Sequence, residues 1–411
     1  MPIEACRSSG STDLREFLDL GVTPLADALL RQEDLAKPEP RFPLRLAFCP
    51  ESALVQITED VPAQTMFVDN YLYFSSFSDE LLEHSRSHAE ALIEERHLDS
   101  SSFVVEIGSN DGYLLRNFCD AGVSALGIDP APDQAAAATA AGVPNMAEFF
   151  GRELAARLVE RGPRADVIIA NNVFAHIPDI NDFTAGMKLL LAEDGVIHIE
   201  NPNVQDLIER CAFDTVYHEH FYYHSCMSID RQMRRHGLWL NDVEYFPDLH
   251  GGTLRWHIGH HQEPTARLLD RVASEEAAGL GSFEYYAQFG RRVSSLIRDL
   301  RELLIELRAN GARIAGYGAA AKGATLLNTA DLGTDLIEYV VDRNTYKQGL
   351  FMPGTHQPIR DVSTLVADKP DFVLLLAWNF RDEIIAQQRD YTTGGGQFIL
   401  PVPQPQIIGG D

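Results

Sequence analysis

The sequence predicts an α/β chain with two nucleotide-binding-like parallel sheets behind a small, irregular amino-terminal segment, and three observations predict it. The apolar run Phe103-Val-Val-Glu-Ile107 breaks into the glycine turn Gly108-Ser-Asn-Asp-Gly112. Strand and helix signals then alternate through the middle of the chain. A second glycine turn, Gly316-Tyr-Gly318, follows Arg313-Ile-Ala315 late in the sequence. An apolar strand that runs into a glycine turn and opens a helix is how a doubly wound sheet holds an adenosine-bearing ligand. A length of 411 residues suits two or three domains.

Taken in order, residues 1–75 are loop-rich, with prolines interrupting short apolar pieces such as Leu44-Arg-Leu-Ala-Phe48 and Ala53-Leu-Val-Gln-Ile57. Leu81, Leu82, Ala89, Leu92 and Ile93 recur at helical spacing over Asp79 to Arg96. A central domain over 76–245 then alternates Phe103–Ile107, Ala125–Ile128, the alanine-rich Gln134–Ala141, Ala165–Ala170, Phe183–Leu191 and Gly195–Ile199, the pattern of a parallel sheet layered with helices. Composition changes near Phe246, so residues 246–411 are expected to form a separate carboxyl-terminal domain. It would begin with the alternating strand Leu254–Ile258 and a long helix from Ser282, ended by Asn310-Gly311. Its own sheet would then run through Leu336–Val341 and Asp371–Ala377.

Composition narrows the function. A formal charge of −26 repels phosphate backbones, which argues against nucleic acid as a partner. No apolar run approaches the length of a membrane span, no leader pattern opens the chain, and five scattered cysteines do not suit a disulfide framework. A cytoplasmic monomer or homodimer acting on a small molecule is the expectation.

Glu106-x-Gly108-x-Asn110-x-Gly112 fits the acidic glycine loop of S-adenosylmethionine enzymes better than the Gly-x-Gly-x-x-Gly of dinucleotide enzymes. Gly108 is expected to let backbone approach the ligand, Gly112 to allow close packing, and Asp129, closing Gly127-Ile-Asp129, to accept two bonds from ribose hydroxyls. Asn172 follows the strand ending at Ala170 and is expected to meet the methyl donor, although Asn-Asn before a helix is also a plain cap. His176 is placed in the same crevice, and Asn201 ends another strand, as a substrate contact or merely a turn.

Tyr217-His-Glu-His220, with Tyr222, Tyr223 and His224, is dense in groups that move protons near neutral pH. The readings are proton chemistry, a metal site through His218, His220 and His224, or a hydrogen-bonded structural run. The His-Glu-x-x-His protease pattern is absent. The later loop, with Tyr317, Lys322 and Asp342, admits a nicotinamide coenzyme, a substrate pyrophosphate beside Lys322, or a ligand-free turn. Tyr71 and Tyr73, in a short aromatic strand, are either interdomain packing or hydroxyls reaching the crevice.

In this order the pieces resemble the sugar C-methyltransferases, which act on nucleotide-linked keto-deoxysugars of antibiotics and bacterial surfaces. The resemblance spans nearly the whole chain: Leu20-Gly-Val-Thr-Pro-Leu-Ala26, Tyr73-Phe-Ser-Ser76, Glu106-Ile-Gly-Ser-Asn-Asp-Gly112, His176-Ile-Pro-Asp179, Tyr217-His-Glu-His220, His250-Gly-Gly-Thr-Leu254 and Gly316-Tyr-Gly-Ala-Ala-Ala-Lys-Gly323. It implies three domains: zinc-ribbon-like, class I methyl-donor-binding and Rossmann-like. It also implies an active-site set of Tyr71, His176, Tyr217, Glu219 and His220, with Lys322 at the pyrophosphate. Tyr222, Asn201 and Tyr317 complete the expected substrate side. The chain departs from the family at its amino terminus, where two Cys-x-x-Cys pairs are replaced by Cys6-Arg-Ser-Ser9 and Cys49-Pro-Glu-Ser52. Serine is not a usual zinc ligand, so no zinc is expected.

The expected mechanism begins with loss of a proton beside a ketone. His220 is the general base, since an imidazole of reference pKa near 6.5 is largely unprotonated at neutral pH. Glu219 fixes its neighbours, while Tyr217 and His176 donate hydrogen bonds to the enolate oxygen. The alternatives are a C-methyltransferase of a non-sugar ketone, a nicotinamide oxidoreductase using the second loop, and a silent sugar-nucleotide binder.

Overall fold

The computed structural model describes residues 3–61 and 74–409. Three sheets build the chain. The first has the order β1-β2-β3-β9, from β1 (Arg15–Pro24), β2 (Arg41–Cys49), β3 (Leu54–Ile57) and the distant β9 (Tyr222–Tyr223). The short apolar pieces foreseen at Leu44 and Leu54 are strands here, and Leu44, Leu46, Phe48 and Val55 are buried. This lobe is therefore an antiparallel sheet rather than an irregular segment.

The central sheet comes next along the chain, with β4 (Phe103–Ile107), β5 (Ser124–Ile128), β6 (Asn145–Met146), β7 (Ala165–Asn171) and β8 (Leu191–Pro202). The chain then leaves it for β9 (Tyr222–Tyr223), which pairs with β3 through Val55 and Tyr223, and Gln56 and Tyr222. It returns for β10 (Trp239–Phe246) and β11 (Thr253–Gly259), giving the order β10-β11-β8-β7-β4-β5-β6. Strands β5 and β7 flank β4 in parallel, so the order reverses beside β4 and opens a crevice at its carboxyl end. The composition change near Phe246 is not a sheet boundary: β11 lies between β8 and β10, antiparallel to both, so the central sheet runs on to Gly259. Leu254, Trp256 and Ile258 of β11 fill the core on one face. Arg255 on the other face meets Glu200 of β8 at 2.7 Å, which explains the alternation in the sequence.

The third sheet contains β12 (Ile314–Tyr317), β13 (Val340–Val341), β14 (Ile359–Arg360), β15 (Phe372–Leu375), β16 (Gln397–Leu400) and β17 (Gln406–Ile408) in the order β14-β13-β12-β15-β16-β17. All its pairings are parallel except β16 with β17. The helix Phe283–Ala309 leads into it from the central sheet, capped by the Ser282 side chain on Glu284 N. Gly290 of that helix has no room for a side chain, because a Cβ would lie 2.0 Å from the Phe17 carbonyl of β1. Both glycine loops thus follow the strand at which their sheet reverses.

Candidate active site

The first loop turns on left-handed backbone at Gly108, Asn110 and Gly112. Gly112 packs as expected: a Cβ there would meet Val143 at 3.0 Å. Gly108 differs from its expected role, because its bare face receives the Val173 side chain, 2.8 Å from where a Cβ would stand. Asp129 also carries another task. Its two oxygens accept the backbone N–H groups of Asn110, at 2.8 Å, and Ala131, at 2.9 Å, closing the loop, and burial raises its pKa. The Asn110 amide oxygen takes the Ser75 N–H at 3.0 Å and Asp111 takes that of Ser76 at 3.2 Å, so residues 75–76 are strapped across the loop. Asn172, at φ +54°, donates its backbone N–H to the Glu200 carbonyl at 2.6 Å.

Several buried oxygens around this crevice have no hydrogen-bond partner among the described residues: both of Glu106, Asp111 Oδ1, Asn171 Oδ1 and Asn201 Oδ1. Burial, reinforced by Asp129 and Asp111, pushes the Glu106 carboxyl well above the ordinary range. Glu106 aside, whose raised carboxyl keeps a proton to donate, these orphans are acceptors, which fits a cationic ligand rich in donors. S-adenosylmethionine, with its sulfonium, ammonium and ribose hydroxyls, matches that demand. Asn201, expected on the substrate side, lies near the carboxyl end of β8, one residue past Glu200, which pairs with Asn171 of β7. Asp111 and Asn171 received no role from the sequence; a polar side chain at a strand's carboxyl end was the available signal.

The second cluster follows the short helical turn Phe213–Thr215. Here the structure gathers the rings of His176, Tyr217 and His220, with the Glu219 main-chain carbonyl beside His176. The His220 ring lies 4.8 Å from that of His176 and 4.1 Å from that of Tyr217, centroid to centroid. His220 Nδ1 is 3.1 Å from the Thr215 carbonyl, which can only accept, so Nδ1 carries the proton and Nε2 the lone pair. His176 Nδ1 donates to the Glu219 carbonyl at 2.7 Å, and burial pulls its pKa down to about 4. A neutral His176 with its proton on Nδ1 presents an accepting Nε2, so the expected donation from His176 to an enolate oxygen fails. Burial, then the charge of Asp27, pushes the Glu219 carboxyl up to about 8.

The remaining members of the run point elsewhere. His218 Nε2 faces the Pro43 carbonyl at 3.2 Å, and His224, pulled down to about 3 by burial, stacks on Phe174. The three imidazoles of the metal reading therefore diverge. Tyr222 is not a substrate contact, because its ring is 1% exposed and its hydroxyl donates to the Pro178 carbonyl at 3.1 Å. Tyr71 and Tyr73 lie outside the described residues.

In the second loop, Gly318 (φ +104°) donates its N–H to Val341 O at 2.8 Å, and Asp342 accepts the Ala319 N–H at 2.7 Å, as Asp129 does in the first. Tyr317 is 4% exposed among core residues that include Val341 and Leu375, and its hydroxyl has no hydrogen-bond partner among the described residues. Lys322 bonds Asn379 at 2.8 Å and stands 3.9 Å above the Trp378 ring. Trp378 in turn donates to Asp214 at 2.6 Å.

At the amino terminus the four replaced-knuckle positions still converge. Cys6 Sγ is 3.1 Å from Ser52 Oγ, and Ser9 Oγ is 3.6 Å from Cys49 Sγ. Both hydroxyls also accept backbone N–H groups, Ser52 from Leu54 and Ser9 from Ser11. Two thiols and two engaged hydroxyls do not fit tetrahedral zinc.

No described helix is long and apolar enough to cross a membrane. Three family models match: "Putative zinc binding domain" over residues 6–67, "Methyltransferase domain" over 81–242 and "C-methyltransferase C-terminal domain" over 248–403. C-methyltransferase NovU of Streptomyces niveus is 34% identical over 412 residues, covering 99% of this chain and 97% of its own. Two solved structures share part of the chain. Magnesium protoporphyrin IX methyltransferase of Synechocystis PCC 6803 is 13% identical and covers 43% of this chain and 82% of its own, with a TM-score of 0.35. An S-adenosylmethionine-dependent methyltransferase of Clostridium acetobutylicum is 10% identical and covers 43% and 91%, with a TM-score of 0.34. The full-length match and the methyltransferase domains make this chain a member of the C-methyltransferase family, with S-adenosylmethionine as its methyl donor.

Proposed function

We propose that the enzyme methylates a carbon beside the ketone of a nucleotide-linked keto-deoxysugar, with deoxythymidine diphosphate as the nucleotide, in the making of antibiotic or surface sugars. The observation that carries this reading is the fixed tautomer of His220. A carbon acceptor must first lose a proton, and an imidazole whose Nδ1–H is tied to the Thr215 carbonyl offers Nε2 as the base. Glu219, still protonated near neutral pH, and the Tyr217 hydroxyl supply donors for charge developing on the ketone oxygen. His176 takes the opposite part, accepting a hydrogen bond at Nε2. Glu106, Asp111, Asn171 and Asn201 hold the methyl donor, which brings an electrophilic methyl group when bound. Lys322, on the Trp378 ring, supplies the cation for the pyrophosphate.

Mass spectrometry of reactions with a panel of deoxythymidine diphosphate keto-sugars tests the proposal. One sugar is expected to gain a methylene and lose the exchangeable hydrogen next to its ketone. Methylation on oxygen or nitrogen, or of none of the panel, overturns it. His220→Ala is expected to bind both ligands and lose turnover by about 10²- to 10⁴-fold.

A further inference from the structure

Three consecutive residues behind the proposed base are held from two directions. Asp214 is 0% exposed, and its Oδ2 accepts the Trp378 indole N–H at 2.6 Å across to the carboxyl-terminal lobe. The carbonyl of Val216 accepts the Thr325 hydroxyl at 3.2 Å, again from that lobe. Between them Thr215 turns its carbonyl to His220 Nδ1. A buried carboxylate is costly unless partnered, and this one takes its side-chain hydrogen bond from another sheet's loop. The donor, Trp378, is also the ring beneath Lys322.

We infer that Asp214 is a positioning residue, anchored by Trp378, that holds the Thr215 carbonyl on His220 and makes the tautomer of the base depend on the carboxyl-terminal lobe. This rests on the proposed role of His220. Without the anchor, the segment 214–216 loses its tie through Trp378, and the hydrogen bond that keeps the proton on His220 Nδ1 weakens. A displaced or wrongly protonated base costs turnover while leaving the methyl-donor crevice intact.

Trp378→Phe keeps the ring under Lys322 and removes the donor; Asp214→Asn keeps an acceptor for Trp378, and Asp214→Leu removes it. For the full-length enzyme, we expect kcat to fall about ten- to a hundredfold in Trp378→Phe and Asp214→Leu. S-adenosylmethionine affinity by calorimetry should stay within twofold of the unaltered chain, and Asp214→Asn should recover most of the rate. Nitrogen NMR of labelled histidine, assigned with His220→Ala, should show a single Nδ1–H form for His220 in the unaltered chain and a mixture in Trp378→Phe. A single unchanged form with unchanged kcat in Trp378→Phe, which retains a folded core by its near-native melting, overturns the inference. Full turnover in His220→Ala instead sinks the base assignment, while the NMR still reports whether Asp214 and Trp378 set the tautomer.

Discussion

On the proposed mechanism, Glu219 is the acid of the site near neutral pH. Its carboxyl, held up to about 8 by burial and Asp27, donates below that pH and loses the ability above it. The rate is therefore expected to decline as pH rises through about 8, and Glu219→Gln, a permanent donor, should flatten that limb in a kcat/KM profile. A limb that persists in Glu219→Gln assigns the titration to another group. At this scale the sequence revealed which residue types would gather, but not their protonation. His176 and His220 are each oriented by a main-chain carbonyl, of Glu219 and Thr215, and a carbonyl leaves no mark in a sequence. Tyr222 misled for a related reason: a tyrosine in a polar run reads as a contact, and only its neighbours show it buried.

Among the elements, helix Asp79–Arg96 lies over an unusual surface. His88 Nε2 is 2.9 Å from His198 Nδ1 of β8, whose ring stacks 3.9 Å from that of His257 of β11, and these join Arg255 and Glu244 around a cavity of about 380 Å³. Burial pulls the pKa values of His88 and His198 well below the usual imidazole range, as it does for His176 and His224. A depressed folded pKa means that the unfolded chain takes the proton first. Stability from these groups is then complete above about pH 6.5 and is lost as pH falls towards the folded values. The melting temperature should drop steadily from pH 7 to pH 5, and an unchanged value across that interval would contradict it. The first glycine loop makes a second prediction. Gly108→Ala places a side chain against Val173 on left-handed backbone, so S-adenosylmethionine affinity should fall more than tenfold by calorimetry. This loop was legible because strand, turn and acidic cap are neighbours in sequence. The composition change near Phe246 falls between two matched domain models, 81–242 and 248–403, but the sheet membership of β11 was not legible, because it finds its place only by pairing with β8, far earlier in the chain.

For the molecule as a whole, the converging Cys6, Ser9, Cys49 and Ser52 keep the outline of a metal knuckle while supplying hydrogen bonds in its place. A strong chelator is expected to leave the melting temperature of the purified enzyme unchanged. The double change Ser9→Cys with Ser52→Cys should bind one zinc per chain and raise that temperature, both readable by metal analysis and calorimetry. Stoichiometric zinc in the unaltered chain, with melting lowered by the chelator, would reverse that conclusion.

The two-residue strand β9 has a consequence for how this enzyme can be cut or fused. Tyr222 and Tyr223 follow His220 almost at once, yet they complete the border of the first sheet by pairing with Gln56 and Val55. Removing the opening sixty residues would strip the segment that follows His220 of its backbone partner and leave a raw β edge there, so the leading lobe serves as the frame of the Tyr217–Tyr223 run and not as a detachable module.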